Sequence, residues 1–331
     1  MMKTLQALAD RTAVLFLGVA AGAAIGYSFA KGGEPERDVV VLQSDAAPSA
    51  PATKPTTPGD VANGTQPSAP PPPAMAAAEP TPLAPNPPPG EQILATVREG
   101  RSIRVGVFGD SFGDGVWSAL YRLLPRSERY DVVKFSQQST GFTRYKRLNL
   151  EAHDAGRLGN DPVDVAVISF GANDAQGVYA DGRYGALLSP AWQEIIGARI
   201  DSYVAMLRRH GAMVYWVGLP KMRDAKFDAD ITGMNAFYAD RMRRLGVPFI
   251  DVRPMTVDAE GRYSAYMTDE GTGAQKLLRA NDGIHMSMNG YVRISKGLAG
   301  QIRAYVDQAR QLAATPAAPT LETAQKVSST S

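Results

Sequence analysis

Three short segments of this 331-residue chain hold side chains whose types suit chemistry on an acyl group. The first, Gly109-Asp110-Ser111-Phe112, puts a serine hydroxyl between an apolar run and a helix-like stretch. Helical amides and the positive end of the helix dipole would stabilise negative charge on a reacting oxygen there. Taken alone, it reads better as a helix-capping serine after a tight glycine turn. The second, Gly171-Ala172-Asn173-Asp174, offers the two N–H donors of Asn173, although an isolated Asn-Asp pair is an ordinary turn. The third is Asp282-Gly283-Ile284-His285, in which a carboxylate can fold back to fix the imidazole tautomer and support its charged form. By itself it is a surface histidine beside a capping aspartate. Together the three supply a nucleophile, an anion donor and an oriented base.

The elements that must position them follow from periodicity. Short β-rich runs fit strands at 103–108, 130–135, 163–169, 213–217 and 248–252. Helical patterns fall between them, the clearest over Pro190 to Arg209, where Trp192, Ile195, Ile196, Ile200, Tyr203, Val204 and Leu207 make one buried face. Tyr291, Ile294, Leu298, Ile302 and Tyr305 repeat that pattern near the end. Such alternation predicts an α/β fold, a flavodoxin-like three-layer sandwich around a five-stranded, mainly parallel sheet. Active sites of such sheets lie at the carboxyl ends of the strands; the first two segments follow the first and third strands there, and the third stands in the loop immediately before the last helix.

On these blocks the chain resembles the SGNH/GDSL family of serine esterases and acyltransferases, over roughly Arg101 to Ala309. The resemblance implies the SGNH hydrolase fold, with Ser111 as nucleophile, His285 as general base and Asp282 orienting the imidazole. It also implies an oxyanion hole made by the Ser111 amide, the Asn173 side chain and Gly141, the last taken from Ser139-Thr140-Gly141 after the second strand. Phe112 replaces the commoner Leu, a conservative change in the packing of the helix start. Trp216-Val217-Gly218-Leu219-Pro220, Phe227-Asp228-Ala229-Asp230-Ile231 and Met234-Asn235 look like a bacterial envelope branch of the family. The implied activity is ester hydrolysis on an O-acylated carbohydrate or other ester, by an acyl-enzyme. Transfer of the acyl group to a periplasmic polysaccharide or peptidoglycan is the alternative, and a degenerate glycan-binding module or a dimerising scaffold the readings from other classes.

No metal or cofactor is expected. Asp110, Asp174, Asp282 and His285 could be grouped as ligands, but one histidine among scattered carboxylates lacks metal-site spacing. His210, before Gly211, reads as a helix-end residue and His153 as a loop residue. Arg144, Lys146, Arg147, Arg223 and Lys226 read as solvated surface, or as the rim of a site for an acidic glycan.

Composition bounds the rest. A net charge of +2 with 21% charged residues excludes a strongly basic nucleic-acid binder. Zero cysteines exclude disulfides, thiolate nucleophiles and lipoprotein acylation. Nineteen uncharged residues, Thr12 to Ala30, approach the ~20 that a bilayer requires, so residues 1–31 are expected to be a retained signal anchor. Cleavage after Ser28-Phe29-Ala30, giving a secreted protein, is the alternative. Gly18, Gly22 and Gly26 recur every four residues, a spacing that lets two membrane helices approach and would permit a dimer. Fifteen of the 24 prolines lie between Pro48 and Pro89, so residues 32–90 are expected to be a disordered polyproline-rich tether. A hydrolase domain is expected over 91–312 and a disordered tail over 313–331. The organisation predicts a single-pass protein of a bacterial inner membrane, with its domain in the periplasm.

Overall fold

The computed structural model describes residues 85–269 and 272–315. The expected anchor, its glycine repeat, nearly all of the tether and most of the tail lie outside the described residues. Among the described residues no helix is long and apolar enough to cross a membrane.

The chain enters through helix α1 (Glu91–Arg98), strand β1 (Ile103–Gly109), helix α2 (Ser111–Leu123) and strand β2 (Tyr130–Lys134). Helix α3 (Leu150–Asn160) leads to β3 (Val165–Ser169), then to a hairpin of β4 (Val178–Ala180) and β5 (Arg183–Gly185). Helix α4 (Pro190–Arg209), strand β6 (Met213–Val217), helix α5 (Ala225–Leu245) and the short β7 (Phe249–Ile250) follow. A second hairpin, β8 (Tyr266–Thr268) with β9 (Gln275–Leu277), precedes the last helix, α6 (Met288–Ala314).

The main sheet has five strands in the order β2-β1-β3-β6-β7. Every pairing in it is parallel. This is the flavodoxin-like order, and the expected fold is borne out. All residues of β3 and β6 are buried, as strands covered by helices on both faces must be. The chain starts at β1, moves outward to β2 and returns to β3 on the other side, so the strand order reverses between β1 and β3, the switch point at which such sheets place their sites.

The helices start where local chemistry allows. Ser189 caps α4 by accepting from the Trp192 amide at 3.3 Å, with Pro190 at the first turn. Asp224 caps α5 through Phe227 N at 2.7 Å, and Gly246 ends it at φ +60°. Residues expected in the tether already touch the domain: Asn86 accepts from Tyr215 Oη at 2.7 Å and donates to the Gln301 carbonyl at 2.9 Å. Phe142, Phe170, Tyr203, Trp216 and Tyr238 form a buried aromatic cluster.

Two expectations need correction. His153 lies on helix α3, capped by Asn149, rather than in a loop; Gly156 and Gly159 dilute the helical pattern that would have revealed it. The two hairpins were not foreseen, because three-residue strands are too short to show a period.

Candidate active site

Strand β1 ends at Gly109, where a Cβ would stand 2.2 Å from the Ser169 carbonyl oxygen, so only glycine lets β1 turn against β3. Asp110, not Ser111, is the cap of α2: its Oδ1 accepts from Phe112 N at 2.9 Å. Ser111 is thereby the first helical residue, half-buried at the carboxyl end of β1.

Ser111 Oγ lies 2.7 Å from His285 Nε2. On the other side of the ring, His285 Nδ1 lies 2.6 Å from Asp282 Oδ2. Asp282 Oδ1 accepts from the Ile284 and His285 amides at 2.8 and 2.9 Å, so one carboxylate fixes both backbone and ring of this loop. Partial burial opposes its ionisation, but the bonds from His285 and the two amides outweigh that and hold the Asp282 carboxyl below its usual range. With the carboxylate on Nδ1, neutral imidazole carries its proton there and leaves Nε2 to accept from Ser111.

Phe112 does more than pack the helix start. Its ring stacks on the His285 imidazole, with centroids 5.1 Å apart and planes 23° apart, and meets Tyr291 edge-on. That contact gives the imidazole a fixed apolar wall.

The Asn-Asp block after β3 clamps the glycine loop after β2 from both sides. Asn173 Nδ2 donates to the Thr140 carbonyl at 3.0 Å and to Asp110 Oδ2 at 3.1 Å. Asp174, fully buried, accepts from Phe142 N at 2.9 Å and from Thr143 N and Oγ1 at 2.7 Å. Gly141 sits between these anchors, and a Cβ there would stand 2.4 Å from Asp174 Oδ1. Within the described residues the Ser111 and Gly141 amides make no hydrogen bond, so both N–H groups are free to meet an anion. The two N–H bonds of Asn173, in contrast, are engaged. Burial pushes the Asp110 carboxyl up to about 6, against the opposing Phe112 amide bond.

Arg279 escaped sequence reasoning. It is fully buried, yet among the described residues its guanidinium meets no carboxylate; it donates to the carbonyls of Ile284 (2.8 Å), His285 (3.3 Å) and Lys221, and lies over the Tyr263 ring. Burial pulls its pKa below the usual guanidinium value. The cation therefore ties the Asp282–His285 loop to the segment after β6. That segment is itself stapled from α5: Asn235 bonds both the amide and the carbonyl of Leu219 at 2.9 and 2.8 Å. Asp228 takes Lys221 Nζ at 2.7 Å, Met222 N at 2.8 Å and Arg253 through two bonds at 3.0 Å. Asp228 and Asn235 thus support the segment to which Arg279 ties the histidine loop. An arginine in a Leu277-Leu278-Arg279 run gives only a faint hint of burial.

The remaining candidates stand apart. Among the described residues no cluster of His, Asp and Glu gathers as a metal site; Asp110 and Asp174 are spent on backbone amides and Asn173. His210 is the C-cap of α4, as expected. His153 pairs with buried Asp154 at 2.9 Å and meets Gln137 at 3.0 Å, away from Ser111 in the hydrogen-bond pattern. Lys146, Arg147, Arg223 and Lys226 are exposed, while Arg144 is half-buried and donates to the Ser139 carbonyl at 3.0 Å.

A family model described as "Protein of unknown function (DUF459)" matches residues 104–301. No curated protein matches the chain. Among solved structures, the chain is similar to TesA, at 18% identity and a TM-score of 0.42, covering 61% of this chain and 99% of that one. It is also similar to an acetyl xylan esterase, AlAXEase (15%, TM-score 0.43, 61% and 98%), and to a GDSL-like lipase from Bacteroides thetaiotaomicron (13%, TM-score 0.42, 66% and 97%). The SGNH resemblance is borne out in fold, with its blocks meeting at one edge of the sheet.

Proposed function

We propose that this chain, which belongs to the DUF459 family, is a serine esterase that removes O-acyl groups, acetyl above all, from a cell-envelope glycan. The observation that carries the reading is the continuous line Ser111 Oγ, His285 Nε2, His285 Nδ1, Asp282 Oδ2, with contacts of 2.7 and 2.6 Å. A degenerate binding module would have no need to keep three groups in that register.

In this mechanism Ser111 Oγ bonds to the ester carbonyl carbon as its proton passes to His285 Nε2. The carbonyl oxygen becomes an anion met by the free amides of Ser111 and Gly141. Asn173 joins them by exchanging one of its present bonds. Collapse breaks the bond to the sugar oxygen, which takes the proton from His285 and leaves as an alcohol. Water then gives a proton to His285 and attacks the acyl-serine. The second tetrahedral species releases the carboxylic acid and returns the proton to Ser111. Asp282 stays ionised throughout and stabilises the imidazolium.

The glycan substrate and the envelope location rest on the sequence outside the described residues. A membrane anchor with a long proline-rich tether suits an enzyme whose substrate is an immobile polymer, and the anchor would place the domain in the periplasm. Water is preferred to a sugar as acceptor because nothing in this chain resembles the multi-span protein needed to deliver an acyl donor across a membrane.

The test is turnover of p-nitrophenyl acetate by the full chain, with mass spectrometry for acyl-Ser111. Ser111→Ala should fold normally and lose at least ~10³-fold in kcat/KM. Equal turnover by that variant would sink the serine mechanism.

A further inference from the structure

The hairpin that follows Asn173 and Asp174 is built to show two aromatic rings to solvent. Asp181 and Gly182 turn it with φ of +50° and +74°, the left-handed pair of a tight two-residue hairpin. Alternation then sorts its side chains: Val178, Ala180 and Gly185 are buried, whereas Tyr179 and Tyr184 face outward. These two are directly opposite in the antiparallel register and so share one face. They are 52% and 67% exposed, so both rings present a face to solvent.

The hairpin is fastened to the loops of the site. Gln176 Nε2 donates to the Asn173 carbonyl at 2.7 Å and to Thr143 Oγ1 at 3.2 Å, and the Gln176 carbonyl accepts from Trp192 Nε1 at 2.9 Å. The Tyr184 hydroxyl leans over Gly177, where a Cβ would stand 2.4 Å from it. Lys146, five residues beyond Gly141, sits with Nζ 4.6 Å from the Tyr179 ring centroid. Neither Lys146 nor the neighbouring Arg147 has a carboxylate partner among the described residues. The hairpin's own acid, Asp181, lies at its tip, and its Arg183 is paired with Glu194 at 3.0 Å.

Rigid tyrosines expose flat faces of negative potential at little entropic cost, which suits the slightly positive C–H face of a pyranose ring. Lys146 beside Tyr179, and Arg147 next to it in the chain, without carboxylate partners among the described residues, favour a sugar bearing a carboxylate or other anionic group. We propose that Tyr179 and Tyr184, with Lys146 and Arg147, form a subsite that stacks a sugar ring of an anionic polysaccharide on the Gly141–Asn173 side of the Ser111 centre. This rests on the esterase reading for its purpose but not for its measurement.

The experiment is calorimetric titration of the detergent-solubilised full chain carrying Ser111→Ala, which cannot consume a ligand. The probes are a galacturonate hexamer and a hyaluronan hexamer, with cellohexaose as neutral control. At least one anionic hexamer should bind more tightly than cellohexaose. Adding Tyr179→Ala and Tyr184→Ala should weaken that binding roughly tenfold or more, and Lys146→Gln with Arg147→Gln should remove the preference for charge. In the chain with Ser111 intact, the tyrosine variants should keep p-nitrophenyl acetate turnover within about twofold, since so small an ester does not reach the subsite. No binding of either anionic hexamer, or binding that the double tyrosine variant leaves unchanged, would overturn the proposal. Cellohexaose binding as tightly as both anionic hexamers would overturn its anionic part. Binding as expected without any ester turnover by the intact chain would remove the esterase reading and leave the subsite standing.

Discussion

Ser111, Gly141 and Asn173 follow within a few residues of β1, β2 and β3, whereas Asp282 and His285 hang on an irregular loop between β9 and α6, outside the main sheet. The first group inherits its position from the parallel ladder. The β1–β2 ladder continues past β2 itself, with Phe135 N on the Val107 carbonyl at 2.9 Å and Gln137 N on Gly109 at 2.8 Å. The second group lies outside that ladder, with one isolated antiparallel bridge, Arg279 to Met286, and backbone bonds from Ala280 N to the His285 carbonyl at 3.0 Å and from Arg223 N to the Gly283 carbonyl at 3.1 Å. It is held further by Asp282 bonding back to its own loop, and by Arg279 gripping the loop's carbonyls from inside. In the proposed mechanism the base is thus placed by one short backbone bridge and a few side chains, while the nucleophile and its anion donors follow the strands of the main sheet.

The sharpest way to break this contrast is to remove the internal grip. Arg279→Met should lower kcat by roughly 100-fold with KM little changed, because the loop carrying His285 loses its register while the ester still reaches Ser111 and its amides. The downfield proton resonance of His285 Nδ1–H on Asp282 should weaken in that variant, and Arg279→Lys should restore part of both signals. A variant with full kcat and an unaltered resonance would show the loop to be self-supporting. Since Arg279 acts through the loop, it is a positioning residue.

The corresponding change on the sheet side should cost less. Asp174→Asn keeps one acceptor for the Phe142 and Thr143 amides and turns a donor toward the other, which loosens the loop carrying Gly141. A loss of roughly 10-fold in kcat is expected, below the ~10²–10³ for deleting an oxyanion donor outright, because the Gly141 amide itself remains. A loss as large as that of Arg279→Met would mean that the ladder does not hold this half by itself.

The same contrast explains what could be read from the chain alone. Strand patterns are local, so a block at the end of a β-rich run declares its place: Ser111, Asn173 and the α/β order were legible, and the helix at Pro190–Arg209 was legible to the residue. Arg279 was not, because its burial depends on carbonyls 5 and 58 positions away. Asp174 looked like half of a turn because its partners sit 31 and 32 residues upstream. The Tyr179–Tyr184 hairpin did leave a signal, the Asp181-Gly182 dipeptide between alternating residues, and it was missed because each strand spans only three residues. Phe112, read as helix packing, acquires its role from the imidazole of His285, far along the chain.

The smallest effect expected is also the one that separates the two halves by sign. Asp110, on the sheet side, is buried and its carboxyl is raised to about 6. Between its unfolded value of ~4 and ~6 the folded chain holds a proton that the unfolded chain has released, so its contribution is full below ~4 and is lost as pH rises to about 6. Asp282, on the loop side, is held below its usual range, so its contribution is present above ~4 and is lost as the medium becomes more acidic. Melting temperatures of the wild type, Asp110→Asn and Asp282→Asn from pH 3 to 7 read both. Relative to Asp110→Asn, the wild type should be most favoured at the acid end and lose that margin by about pH 6, by up to about 3 kcal/mol. Relative to Asp282→Asn, its margin should be largest near neutrality and shrink on acidification below about pH 4. Two margins that move in the same direction would mean that the carboxylates share one environment, and the division between a half held by the sheet and a half held by side chains would fail where it is most directly measured.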